Sequence, residues 1–153
     1  MFNVVLIEPE IPPNTGNVAR LCAAAGCRLH LVEPLGFALD EKQLKRAGMD
    51  YWRQVEWRTW GSMEEFFAGI GAARFFLLTT KTENCYFDAQ FRDGDYLIFG
   101  RETKGLPEEL LAKRRERCLT IPMANPAARS LNLATSVGIV LYEAIRQTRV
   151  FTH

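Results

Sequence analysis

Two apolar runs in the last third of the chain each stop abruptly in a loop rich in polar and backbone groups. The first reads LIFGRETKGLP over residues 97–107, and the second CLTIPMANPAARSLNLATSVGIVLYEA over 118–144. In α/β proteins, ligands bind where strands end at their carboxyl side. Gly100 follows Phe99 and, lacking a side chain, is expected to let a flat ligand approach the backbone. Ile121, Pro122 and Met123 end the second run, and Arg129, Ser130, Leu131 and Asn132 then open a long apolar helix. Two such loops can close around one small molecule. A third polar group lies near the start, where Asn14, Gly16 and Asn17 precede Arg20. Arg20 sits about one helical turn beyond Gly16 and Asn17, so it can point back to the same loop end.

Other chemistries find little support. His30 and His153 are the only histidines, and neither has carboxylates at ligand spacing, so a catalytic metal is not expected. Cys22, Cys27, Cys85 and Cys118 form no C-x-x-C pattern and read as reduced thiols of a cytosolic protein. A dinucleotide fingerprint would need G-x-G-x-x-G after the first strand. The loop there, residues 11–17, has one glycine and two prolines, and the fingerprint fails.

The elements that must carry these groups alternate along the chain. Strands are expected at 3–7, 28–32, 54–57, 74–79, 96–99 and 118–121. Helices are expected at 15–25, 41–47, 63–68, 108–112 and 131–147. Thr15, Asp40 and Ser62 are candidate N-caps, and Gly26 and Gly48 candidate stops. Pro107 suits the first turn of its helix. Such alternation implies an α/β fold, a mostly parallel sheet with helices on both faces. In the last helix, Leu133, Val137, Leu141 and Ile145 form one apolar stripe, while Ala134, Gly138 and Ala144 lie elsewhere around it. Small residues there admit a second helix, from this chain or from a partner.

At 153 residues and 48% hydrophobic composition, the chain can bury one full core as a single domain over 1–153. It has neither an 18-residue apolar run nor a leader-like N-terminus, so neither a membrane partner nor export is expected. A net charge of +1 argues against a surface that coats nucleic acid throughout. It leaves room for local patches such as Lys113, Arg114, Arg115 and Arg117, or Lys42, Lys45 and Arg46, although a solvated helix face is the plainer reading of each.

The three motif segments, with the opening EPEIPPNTGN, resemble the SPOUT superfamily of RNA methyltransferases in order and approximate spacing. The closest likeness is to its minimal members, tRNA ribose methyltransferases acting at the anticodon wobble nucleotide. The resemblance departs at Arg101, where many members carry proline. It implies a deep C-terminal trefoil knot, against the general rarity of knots, and a cytoplasmic homodimer. It also implies transfer of a methyl group from S-adenosylmethionine to the 2′-oxygen of a wobble cytidine or uridine in tRNA, with leucine tRNAs as the expected acceptors. S-adenosylhomocysteine would be the product, and no metal would take part.

Carried over residue by residue, the resemblance places the cofactor against Leu78, Thr79, Gly100, Glu102, Ile121, Met123, Ser130, Leu131 and Asn132. Glu102 could pair with an arginine and stiffen that loop, or it could simply be solvated. Arg20 takes the catalytic position. A charged guanidinium is a poor general base, so an electrostatic role toward the adjacent phosphate and the developing alkoxide is the more economical one. Asn14 and Asn17 could orient Arg20 or bind RNA, and Arg129 could clamp phosphate. Tyr142 could stack on a base or pack at a subunit interface. Two other readings stay open: a superfamily enzyme with another tRNA or rRNA target, and a non-catalytic RNA-binding or assembly module.

Overall fold

The computed structural model describes residues 1–39, Lys42 and residues 50–148. Apart from Lys42, the helix expected at 41–47, with its candidate cap Asp40, its candidate stop Gly48, and Lys45 and Arg46, lies outside them. Among the described residues, six strands and four α-helices follow in the order β1 (Asn3–Ile7), α1 (Pro12–Ala25), β2 (Arg28–Val32), β3 (Glu56–Trp60), α2 (Met63–Ile70), β4 (Phe75–Leu78), β5 (Tyr96–Phe99), α3 (Glu108–Lys113), β6 (Cys118–Leu119) and α4 (Leu133–Thr148). They form one sheet in the order β3-β2-β1-β5-β4-β6, and every pairing is parallel.

The sheet's two faces follow from the two-residue period of a strand. Val4, Leu6, Leu29, Leu31, Leu97 and Phe99 point to one side and join the core beneath α1 and α4. Val5, Ile7, Val32, Leu77 and Ile98 point to the other and join the core beneath α2 and α3. Strands covered on both faces can be apolar without alternation, which is why β1 and β5 read as uninterrupted apolar runs.

Local chemistry sets the helix ends. α1 begins at Pro12, earlier than expected, because prolines in a first turn forfeit only an N–H that would be unpaired anyway. Thr15 is therefore not the cap. It lies inside the helix, fully buried. Gly26 stops α1 at φ 67° with its N–H donated to the Cys22 carbonyl. Ser62 caps α2 as expected: its Oγ accepts from the Glu65 N–H at 3.1 Å, and the Glu65 carboxylate accepts from the Gly61 N–H at 2.8 Å. Pro107 occupies the N-cap position of α3 rather than its first turn. α4 starts two residues later than expected because Asn132 is its cap, accepting from the Thr135 N–H at 3.2 Å.

β3 lies two residues beyond its expected start, as an edge strand whose first three residues are exposed. Its last residue, Trp60, donates its indole N–H to Nδ1 of buried His30 at 3.1 Å. That leaves the proton on Nε2, which faces Asn3 Oδ1 at 3.0 Å. Burial, reinforced by Arg58 and Arg28, pulls the His30 pKa down to about 4. His30 is thus a neutral core histidine that joins three strands.

From β1 the chain moves outward to β2 and β3, then returns to β4 and β5 on β1's other side. This reversal of strand order between β1 and β5 is where an open parallel sheet leaves a crevice at its carboxyl edge.

Candidate cofactor site

A cavity of about 900 Å³ fills that crevice, a size suited to a small-molecule ligand. Its apolar wall is made of strand ends and the start of α4: Leu78, Phe99, Leu119 and Leu133, each at most 9% exposed. Its polar rim comes from three loops, the segments 79–81, 100–108 and 120–132. All nine residues expected to hold a cofactor line this one space: Leu78, Thr79, Gly100, Glu102, Ile121, Met123, Ser130, Leu131 and Asn132. Asn14 and Arg129 line it as well. Asn17, Arg20 and Tyr142 are exposed and are not among its lining residues.

Each loop is held by its own bonds. The β4 end is fixed to β6 by the Thr79 N–H, which donates to the Leu119 carbonyl at 3.0 Å, while Thr79 Oγ1 accepts from the Lys81 N–H at 3.1 Å. After β5, residues 101–105 form a tight hairpin. The Gly105 N–H donates to the Arg101 carbonyl at 2.8 Å, and the Arg101 N–H returns a bond of 3.3 Å. Gly105 closes this turn at φ 68°, a conformation that favours glycine. At the third loop, the Asn132 side-chain amide donates to Asn14 Oδ1 at 3.0 Å and ties the cap of α4 to the first turns of α1.

Two expectations about the middle loop need correction. Gly100 does not save space for the ligand. A Cβ there would lie 2.2 Å from the Gly105 carbonyl carbon and 2.3 Å from the Leu106 nitrogen, so the glycine is required by the loop's own closure. Glu102 pairs with no arginine among the described residues. Its carboxylate accepts the N–H groups of Glu10 at 3.0 Å and Ile11 at 2.5 Å. Ile11 is the N-cap of α1 and supplies no capping side chain, so Glu102 caps that helix from a distant part of the sequence.

The small residues of α4 are accounted for within the chain. Ala144 is fully buried, and Ala134 packs on the core under α1. A Cβ on Gly138 would sit 3.8 Å from Leu21 of α1. Tyr142, 43% exposed, remains on the outer face.

Sequence reasoning missed part of the lining. Glu8 and Ile11 enter through the loop after β1, and Lys81 and Glu108 form a rim ion pair at 3.0 Å. That pair is exposed on both sides and contributes little to stability. Arg101, noted in the sequence only as a departure from proline, also lines the cavity. Its Nε is buried and has no acceptor among the described residues. No group of His, Cys, Asp and Glu suited to a metal occurs among the described residues.

Comparison with known proteins agrees with this fold. The model of the SpoU rRNA methylase family matches residues 1–142. The tRNA (cytidine(34)-2′-O)-methyltransferase of Escherichia coli K12 is 49% identical over 148 residues, covering 96% of this chain and 94% of its own. The enzyme of the same name from Saccharophagus degradans is 49% identical over 150 residues, covering 96% of each. A solved structure bearing on the 2-OH methylation of C/U34 on tRNA superposes with a TM-score of 0.89 at 51% identity, covering 96% of this chain and 95% of that one. An AdoMet-bound rRNA methyltransferase from Sinorhizobium meliloti superposes at 0.84 with 27% identity, over 99% of this chain and 57% of that longer one. Matched over almost its whole length in both sequence and fold, the chain belongs to the SpoU rRNA methylase family.

Proposed function

We propose that this protein is a tRNA methyltransferase that places a methyl group on the 2′-oxygen of cytidine or uridine at position 34, using S-adenosylmethionine. The observation that carries the reading is the gathering of three separate loops around one cavity, in a chain about half identical to enzymes named for that reaction.

The cavity residues fit the cofactor. Leu78, Phe99, Leu119 and Leu133 offer an apolar surface for a flat ring, and the surrounding loops offer backbone donors and acceptors. The buried, unpaired Nε of Arg101 suits an anionic oxygen such as the ligand's carboxylate. When bound, S-adenosylmethionine supplies an electrophilic methyl carbon. The protein's part is to hold that ligand and to present the ribose. Arg20 on α1 would engage the phosphate beside the acceptor nucleotide and stabilise negative charge growing on the 2′-oxygen, with the proton passing to phosphate or water. Asn14 and Asn17 would orient that approach, and Arg129 would hold phosphate at the cavity edge. In this reading leucine tRNAs are the acceptors and the cytoplasm is the compartment, both as the family resemblance implies.

The reading includes a trefoil knot and a homodimer. Supporting the knot, the chain after β5 packs α3 on one face of the sheet and forms β6 beyond β4. It then returns past the cavity to pack α4 on the opposite face against α1. Supporting the dimer, Asn17, Arg20 and Tyr142 are exposed and outside the cavity lining. A second chain against α1 and α4 would bring one set of RNA-facing groups toward the other's cofactor, with the same patch on each subunit.

Two experiments test these statements. Labelled methyl groups supplied as S-adenosylmethionine should enter bulk tRNA, and nuclease mapping should find them at nucleotide 34, with leucine isoacceptors most heavily labelled. Label at another position, or in rRNA, would assign another target. No incorporation alongside cofactor binding would leave the non-catalytic module. In sedimentation at micromolar concentration the protein should run at twice its 17.4 kDa chain mass. A single species at 17.4 kDa would remove the dimer and the shared RNA surface.

A further inference from the structure

The donor-side hairpin, residues 101–105, projects beyond the end of β5, and its tip is exposed at Thr103, Lys104 and Gly105. Its internal bonds close the turn but do not fix where the turn sits. Two carboxylates acting in opposite directions tie it to the loop after β1. Glu102, on the hairpin, accepts the N–H groups of Glu10 and Ile11. Glu10, in the loop after β1, accepts both the N–H of Thr103 at 3.2 Å and its hydroxyl at 2.7 Å. Four hydrogen bonds therefore cross between the two loops, two from each side.

The two loops are not equally free. The main chain at Glu10 is boxed in from behind. The Gly36 N–H donates to the Pro9 carbonyl at 2.9 Å, and a Cβ on Gly36 would come within 2.8 Å of both Glu10 Cα and the Glu10 carbonyl oxygen. Glu8, which starts this loop, is itself tied to β2 through its N–H and the Val32 carbonyl at 2.8 Å. Glu10 is thus the fixed post, and the hairpin is the part hung from it. Its carboxyl stays below the usual carboxylate range, chiefly through the Thr103 hydroxyl bond. The same loop opens α1, the helix that carries Asn14, Asn17 and Arg20.

We infer that Glu10 is a positioning residue for methyl transfer: with Glu102 it straps the cofactor-side hairpin to the start of α1, so the cavity is set in its ligand-binding shape before the cofactor arrives. The benefit is preorganisation, because a loop already held in place loses less freedom when a ligand binds. The inference rests on the cavity being the S-adenosylmethionine site.

Titration calorimetry with S-adenosylmethionine, together with steady-state kinetics in both substrates, tests it. Glu10→Ala should weaken cofactor binding about fivefold and raise the cofactor KM to match. The tRNA KM and the thermal midpoint should stay near wild type. Glu10→Gln keeps an oxygen that can accept both Thr103 donors, and should bind within about twofold of wild type. Thr103→Val removes the hydroxyl alone and should show part of the defect. Combined with Glu10→Ala it should add nothing further, since both changes cut the same strap. Wild-type affinity in Glu10→Ala, or additive losses in the double variant, would overturn the inference while leaving the cofactor site standing. A midpoint that falls in step with affinity would also overturn it, by making Glu10 a merely structural residue. Wild-type protein that binds no S-adenosylmethionine would overturn the cofactor reading and this inference with it.

Discussion

Arg20→Ala is expected to bind S-adenosylmethionine as tightly as wild type and to methylate tRNA at no more than about a tenth of the wild-type rate, a loss of at least ~1.4 kcal/mol of transition-state stabilisation. The two halves of this result come from different parts of the molecule. The cavity that collects the cofactor candidates does not count Arg20 among its lining residues, so truncating that side chain removes nothing the ligand is expected to touch. The side chain stands exposed on α1, on the same stretch as Asn17 and within two turns of Asn14. An exposed guanidinium on a rigid helix can meet a phosphate and the charge that develops beside it. Calorimetry for the cofactor and single-turnover methylation of tRNA separate the two effects. A wild-type rate would end the catalytic assignment of Arg20, and lost cofactor affinity would move the residue into the donor site.

Gly100→Ala is expected to be more damaging than its single added methyl suggests. The new Cβ would fall 2.2 Å from the Gly105 carbonyl carbon and 2.6 Å from its oxygen, and these are backbone atoms that cannot turn aside. Something must move, and the clash falls on the backbone of the hairpin's own Gly105 and of Leu106 beside it. Parting the hairpin from β5 would break the Arg101–Gly105 pairing and carry Leu106, only 3% exposed, out of its core cluster. We expect a stability loss of about 1–3 kcal/mol, the usual scale for overpacking, and at least a tenfold loss of cofactor affinity. Denaturant midpoints and calorimetry on the same preparation measure both. Full affinity in a stable variant would show that the hairpin can yield without disturbing the cavity.

The parts of the fold legible from sequence were those whose environment is uniform. The strands at Asn3–Ile7, Arg28–Val32 and Tyr96–Phe99 lie inside the sheet, are buried on both faces, and matched their expected limits. β3 was misplaced because an edge strand with exposed Glu56, Trp57 and Arg58 carries neither an apolar run nor clean alternation. The start of α1 was misread because Thr15 has the chemistry of a cap, and nothing local shows that Pro12 and Pro13 already begin the turn. At the site, the nine candidates taken from the motif segments all line one cavity, while Glu8, Ile11, Lys81, Arg101 and Glu108 of the same lining were not foreseen. The motifs did not reveal which way a residue faces. Gly100 turns toward Gly105 and Leu106 of its own loop, and Glu102 toward the start of α1, 91 residues away. Glu10 gave no local sign of its role, since its hydroxyl donor is 93 residues away.

Those long separations bear on how the molecule is made. β1 can pair with β2 as soon as residue 32 exists, but its other edge pairs with residues 96–99. The cap of α4 meets Asn14 across 118 residues. For a chain emerging from a ribosome, the central strand therefore keeps one open flank for most of synthesis, and the apolar surface beneath α1 waits for the final helix. Contacts of such high sequence separation form slowly, because a large loop must close before they contribute. An unpaired parallel strand is also a template for the wrong partner. The half-built protein is the vulnerable species, and its yield in the cell should depend on how well that interval is shielded.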